Sequence, residues 1–140
     1  MKILFMCVAN SARSQLAEGL ARQILGPKHE IQSAGSNPAK VNPLAIETMK
    51  ELGIDITGHY SKSIDDLTQQ FVDGINYIIT LCADEVCPVM VAPKAEKLHW
   101  PFPDPAGHDE ISDQEKLKLF RKTRDAIKVK IEDFKKEQKL

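Results

Sequence analysis

The feature that most constrains this chain is the apolar run Lys2-Ile-Leu-Phe-Met6, which passes directly into Cys-Val-Ala-Asn-Ser-Ala-Arg-Ser over residues 7–14 and then into a helical pattern. A continuous apolar run of this kind fits a strand buried on both faces of a parallel sheet. A cysteine, five residues and an arginine, bent between a strand and a helix, form a trap for a tetrahedral oxyanion. Backbone N–H groups of the loop and of the helix N-terminus point at the anion, Arg13 clamps two of its oxygens, and Cys7 lies on the floor as nucleophile. The same positive field favours the thiolate, so Cys7 is expected to be reactive near neutral pH, and Ser14 can add a hydroxyl donor to its sulfur.

From Arg13 to Leu25, Leu16, Leu20, Ile24 and the alanines at 17 and 21 recur at helical spacing, and Gly26-Pro27 stops the helix. Residues Glu30 to Gly35 read as a short strand, and Pro43 as the first residue of a helix through about Leu52, ended by Gly53. Ile64 to Phe71 read as one or two helical turns, Gly74 to Leu81 as a strongly buried strand, and Lys94 to His99 as a weaker one. After the proline-rich Trp100-Pro-Phe-Pro-Asp-Pro105, Ser112 to about Lys135 reads as a long helix with Leu117, Phe120, Ile127, Ile131 and Phe134 on one face, and Lys135 to Leu140 as a frayed end. Such an order is α/β, with parallel strands joined by right-handed crossovers. Ligands gather at the carboxyl ends of such strands, where the Cys7 loop, Cys82 and Asp104 all fall.

Composition narrows the partners. The 140 residues read as one catalytic domain, and nineteen Lys+Arg against twenty Asp+Glu leave a formal charge of −1, so no global field recruits nucleic acid or a membrane surface. The start is too short for a signal peptide and no run approaches a membrane span, so a cytoplasmic monomer is expected. Three cysteines do not make a secreted disulfide framework. They do not make a zinc site either, because Cys82-x4-Cys87 lacks a second ligand pair and His99 and His108 stand alone. The four histidines read as surface or loop residues, and Trp100 as packing over the Cys7 loop.

Two readings of Asp104 follow from the residues. Held between Pro103 and Pro105, its carboxyl can protonate an oxygen leaving from the Cys7 adduct, or it can cap its own turn. Cys82 and Cys87 are either redox thiols or small buried residues. In an α-helix, residues five apart lie about 140° apart around the axis, so a Cys82–Cys87 disulfide requires a non-helical segment between them.

Cys7 to Gly19, Ser33-Ala34-Gly35, Asn42-Pro43, Thr80-Leu81-Cys82, Cys87-Pro88, His99-Trp100 and Asp104-Pro105-Ala106 together resemble the low-molecular-weight protein tyrosine phosphatase family, and within it the thioredoxin-coupled arsenate reductases. The resemblance spans nearly the whole chain. It implies a three-layer sandwich with a four-stranded parallel sheet flanked by helices. It also implies arsenate, or phosphate or sulfate as its mimic, held by Val8, Ala9, Asn10, Ser11, Ala12 and Arg13. Cys7 then attacks, assisted by Ser14, with Asp104 as general acid. Cys82 is implied to attack the Cys7 adduct and Cys87 to attack Cys82, with thioredoxin restoring the thiols. A phosphatase would need only the loop and Asp104, and a non-catalytic oxyanion-binding or redox-sensing protein only part of that.

The chain departs from the family pattern in places. Ala9 stands where the family has glycine, so a stiffer or differently curved loop is expected there, and Ala12 stands where cysteine is common. Gln15 replaces the proline of phosphatases, and only Tyr60 is free to line an aromatic slot. Some members hold a monovalent cation beneath the loop through residues matching Asn10, Glu18 and Ser33 plus an aspartate. Lys62 occupies the last position here, so its ammonium is expected to pair with Glu18, with no cofactor and no metal required.

Overall fold

The apolar run at the amino terminus becomes strand β1 (Lys2–Cys7), whose residues from Ile3 onward are buried. The computed structural model describes residues 1–83 and 87–140. Strands β1, β2 (Glu30–Gly35), β3 (Tyr77–Thr80) and β4 (Glu96–His99) form one parallel sheet in the order β2-β1-β3-β4. Side chains alternate across a strand, so β1 feeds two cores. Ile3 and Phe5 face one of them and Leu4 and Met6 the other.

The first core lies beneath helices α1 (Arg13–Leu25), α2 (Pro43–Lys50) and α4 (Asp113–Glu137). Leu16, Leu20, Phe120, Ile127, Ile131 and Phe134 fill it at helical spacing, while Leu117 is only half-buried. The second core lies under a 3₁₀ turn (Ile64–Asp66), helix α3 (Gln69–Gly74) and residues 90–92, with Phe71, Ile75 and Met90 packed on Leu4, Met6 and Ile78. Helices on both faces give the three-layer α/β sandwich.

Several boundaries move from their expected places. The strand expected from Gly74 begins at Tyr77, because Gly74 closes α3 and Ile75 is its C-cap, buried from that position. The fourth strand is shorter, starting at Glu96, and the second helix ends at Lys50. The helical turns expected from Ile64 to Phe71 split into the 3₁₀ turn and α3, each opened by a side-chain cap, Ser63 and Thr68. The expected frayed end is ordered. Helix α4 continues to Glu137, Leu140 packs on the core, and the Tyr77 hydroxyl donates to Gln138 Oε1 at 2.7 Å. Trp100 is buried in the first core, which also holds Ala12 of the Cys7 loop, with its ring against Phe5 and Phe134. No helix among the described residues is long and apolar enough to cross a membrane.

Candidate active site

Residues 8–12 bridge β1 and α1 in a loop whose carbonyls all point outward. Those of Val8, Ala9 and Ser11 accept the N–H groups of Asn37, Ala39 and Asn42 at 2.9, 2.9 and 3.0 Å, and that of Ala12 accepts Leu16 N–H at 2.9 Å. The Asn10 carbonyl accepts from Gln15 Nε2 at 3.0 Å and Ser61 Oγ at 2.7 Å. A trans peptide sets its N–H opposite its C=O, so the amides of residues 9–13 turn into the hollow above Cys7. Helix α1 adds its own N-terminus, which carries no side-chain cap and leaves its first amides for an anion.

Asn10 takes the left-handed conformation that makes this bend, at φ 48°. Ala9, where a stiffer or differently curved loop is expected, carries no positive φ, and the left-handed position falls on the next residue, of a side-chain type that tolerates it after glycine. Three bonds hold the fully buried Asn10 side chain. Its Oδ1 accepts from Gln15 Nε2 at 3.1 Å and from Lys62 N–H at 3.0 Å, and its Nδ2 donates to Ser14 Oγ at 2.7 Å. Ser14 Oγ lies 2.9 Å from Cys7 Sγ. Asn10 donates into Ser14 and so leaves the Ser14 proton available to the sulfur, which as a thiolate can only accept it.

Arg13 is 5% exposed, and its Nη1 donates to the carbonyls of Phe102 at 2.9 Å and Leu81 at 3.4 Å. Its Nη2 stands 3.8 Å from Asp104 Oδ2. Asp104 caps its own turn, with Oδ1 accepting Ala106 N–H at 3.0 Å, while Oδ2 faces the guanidinium. The Leu81 N–H donates to Met6 O at 2.9 Å, so β3 delivers the buried Cys82 to the same sheet edge as Cys7. Cys87 is half-buried, on a cavity of about 230 Å³ against Met6, Ile78 and Leu98. Cys82 and Cys87 both lie outside helices, while residues 84–86, on which the expected non-helical connection falls, lie outside the described residues.

Beneath the loop, Glu18 is 4% exposed and gathers several donors. Ser33 Oγ donates to its Oε1 at 2.6 Å and Arg22 Nε to its Oε2 at 3.1 Å, and Lys62 Nζ lies 3.8 Å from Oε1. Burial pushes the Lys62 ammonium below its ordinary value, with Glu18 opposing the shift. Tyr60, 65% exposed, lies outside this cluster with its ring 5.1 Å from Lys62 Nζ. Asn10, Arg13, Ser14, Gln15, Glu18, Ser33 and Lys62 are all buried polar residues of this one region. Burying so many polar groups costs stability unless each is bonded, and such clusters mark functional sites.

One member of the cluster was invisible in the sequence. His59, expected at the surface, is 16% exposed and bridges Gln15 Oε1 through Nδ1 at 3.0 Å and Glu18 Oε2 through Nε2 at 3.4 Å. Burial lowers its pKa, Glu18 pulls the other way, and Arg22 and Lys62 lower it further. His59 lies 44 residues from Gln15 in the chain, and no local pattern announces that contact.

Comparison with known proteins agrees with this geometry. Residues 2–139 match the model of the low molecular weight phosphotyrosine protein phosphatase family. An arsenate reductase from Staphylococcus epidermidis is 44% identical over 135 residues, 95% of each chain. A solved arsenate reductase in a phosphate-binding state superposes with a TM-score of 0.76 at 33% identity, covering 95% of each chain. A thioredoxin-dependent arsenate reductase from Corynebacterium glutamicum superposes at 0.63 with 31% identity, over 93% of this chain and 61% of that one.

Proposed function

This chain belongs to the low molecular weight phosphotyrosine protein phosphatase family, and from that footing we propose that it is an arsenate reductase of the thioredoxin-coupled kind. The observation that carries the reading is the juxtaposition of Cys7, at the floor of a loop with outward carbonyls, and the buried Cys82 at the end of the neighbouring strand. A phosphatase uses the first thiol alone.

Arsenate binds to the inward amides of residues 9–13 and to Arg13, whose fork takes two oxygens. The Cys7 thiolate attacks arsenic, and the departing oxygen leaves as water with a proton from Asp104. Cys82 then attacks Cys7 Sγ. As the S–S bond forms, the S–As bond breaks and its electron pair stays on arsenic, which leaves as arsenite. Cys87 attacks Cys82, forming Cys82–Cys87 and freeing Cys7. Thioredoxin reduces that disulfide with two electrons and two protons.

The monovalent cation of some relatives does not fit here. Asn10 Oδ1 already accepts two N–H groups, and Glu18 Oε1 already faces Ser33 Oγ and the Lys62 ammonium. Lys62 supplies the positive charge in this reading, and the chain works as one catalytic domain in the cytoplasm, as a monomer, without metal or nucleic acid.

Arsenite formation from arsenate with thioredoxin, thioredoxin reductase and NADPH tests the proposal. Cys82→Ser and Cys87→Ser should each abolish that turnover while leaving hydrolysis of an aryl phosphate, the loop's other capability. Undiminished arsenate turnover in both variants, or none in the folded wild type, would overturn it.

A further inference from the structure

Cys87, Thr80 and His99 line one cavity of about 230 Å³ beside β4, closed on its inner side by Met6, Ile78 and Leu98. Pockets that bind small molecules run to roughly 300–1,000 Å³, so this one is room for a side chain to move in rather than a ligand site. The Thr80 hydroxyl donates to the Leu98 carbonyl at 3.3 Å and lies 2.8 Å from His99 Nδ1. Both contacts are satisfied when the hydroxyl proton goes to Leu98 and Nδ1–H donates to the hydroxyl oxygen. The lone pair of the neutral ring is then at Nε2, which has no hydrogen-bond partner among the described residues.

We propose that His99, held by Thr80, is the base that takes the proton of Cys87 when that thiol attacks Cys82. An unassisted cysteine thiol is mostly protonated at neutral pH, and the apolar walls around Cys87 give a sulfur anion no partner. A neutral imidazole is the side chain suited to accept a proton under those conditions, and the exposure of His99 lets it pass that proton on to water. In the step itself, Cys87 gives its proton to Nε2 and its sulfur bonds to Cys82 Sγ. The Cys7–Cys82 bond breaks with its electron pair on Cys7. Around the ring, β3 brings Thr80, residues 88–90 are apolar and β4 brings Lys97, the one other charged residue on the cavity among the described residues. A lysine ammonium keeps its charge throughout the neutral range, so of the two only the ring confines its help to a window of pH. The role rests on the disulfide relay proposed for this chain, but alkylation of Cys87 involves neither arsenate nor thioredoxin.

Two measurements decide it. In a Cys7→Ser, Cys82→Ser background, Cys87 is the one remaining thiol, and its alkylation by iodoacetamide is followed against pH. His99→Asn keeps an amide nitrogen for Thr80 but has nothing in place of Nε2. It should slow alkylation near pH 7.5 by about threefold or more, with the difference closing by about pH 9.5, where a thiol ionises unaided. In His99→Ala, added imidazole should restore the lost rate. Equal rates in the parent and His99→Asn near neutral pH would overturn the proposal. So would a slowing that persists undiminished in alkali or that imidazole leaves unrepaired, since altered packing alone produces it. With all three cysteines present, His99→Asn should release the first equivalent of arsenite, which needs only Cys7 and Cys82, at the parent rate, while sustained turnover with thioredoxin falls. A slowed first equivalent would overturn the assignment to Cys87. A parent that releases no arsenite would overturn the reductase reading alone, and the alkylation profile would still decide the role of His99.

Discussion

Gly35 and Val8 meet backbone to backbone. A β-carbon on Gly35 would run into the Val8 carbonyl oxygen and would lie 2.9 Å from the Cys7 carbonyl and 3.0 Å from Asn10 N. The last residue of β2 is thus the wall against which the oxyanion loop is moulded, and its N–H is committed to the Lys62 carbonyl at 3.0 Å. Since the obstructing atoms are main chain, they cannot swing aside as a long side chain would.

Gly35→Ala should therefore push the loop away from β2. We expect a loss of about 1–3 kcal/mol in denaturant unfolding, the range for overpacking against a rigid neighbour. Weaker phosphate binding should accompany it, because displaced carbonyls no longer aim the amides inward. A variant with wild-type stability and phosphate affinity would show that the loop yields more easily than its contacts with Asn37, Ala39 and Asn42 imply.

Asp104→Asn should separate binding from chemistry. The carboxylate lies beside the guanidinium but is 48% exposed, and Arg13 is held independently by the Phe102 and Leu81 carbonyls. The amide keeps the turn through its oxygen but offers the leaving oxygen no acidic proton. Turnover should fall by roughly 10²-fold, the usual worth of a positioned acid, while the dissociation constant for phosphate changes little. A variant that retains full turnover would remove Asp104 from the acid's role.

The strand, loop and first helix were legible because each carries its own periodicity; α1 and β2 lie at their expected bounds and β1 runs one residue further, to Cys7. Position 75 shows where that fails, since a buried isoleucine looks alike in a strand and at a helix end. The loop's composition disclosed an anion trap, but not that Asn10 would carry the left-handed bend. That choice follows from Gln15, Ser61 and Lys62 closing around it from distant parts of the chain. His59 is the extreme case, its burial against Gln15 and Glu18 set wholly by tertiary contact.

His29 should make the fold sensitive to acid. Its Nδ1 is buried without a partner, and its pKa lies below the ordinary 6.5 through burial first, then repulsion from the amino terminus and Lys28. As pH falls through 6.5 the unfolded chain takes up a proton that the folded ring still refuses, so stability falls with pH from there down to the folded value and no further. The benefit of a neutral His29 is fully present above 6.5. Melting temperatures of wild type and His29→Gln at pH 7.5 and 5.5 check this. The variant should lose less on acidification, and equal losses would assign the acid sensitivity to other groups.

The Lys62 ammonium and the Glu18 carboxylate stand 3.8 Å apart, both buried, where some relatives place a metal ion among oxygen ligands. If the ammonium does that ion's work, replacing sodium by potassium should leave the wild type's melting temperature and turnover unchanged. Lys62→Asp should reverse this. It sets a second carboxylate beside Glu18, a like-charge pair that destabilises the fold at neutral pH unless a cation enters between them. The variant's melting temperature should therefore drop in sodium and recover with potassium, since a ligand bound only by the folded state stabilises it in proportion to the logarithm of its concentration. Lys62→Met separates charge from geometry. It keeps the length and the backbone N–H to Asn10 but carries no charge, so it should lose stability in either salt. Potassium that activates the wild type would show that the ammonium and the ion are not equivalent, and that the site beneath the loop binds its cation elsewhere.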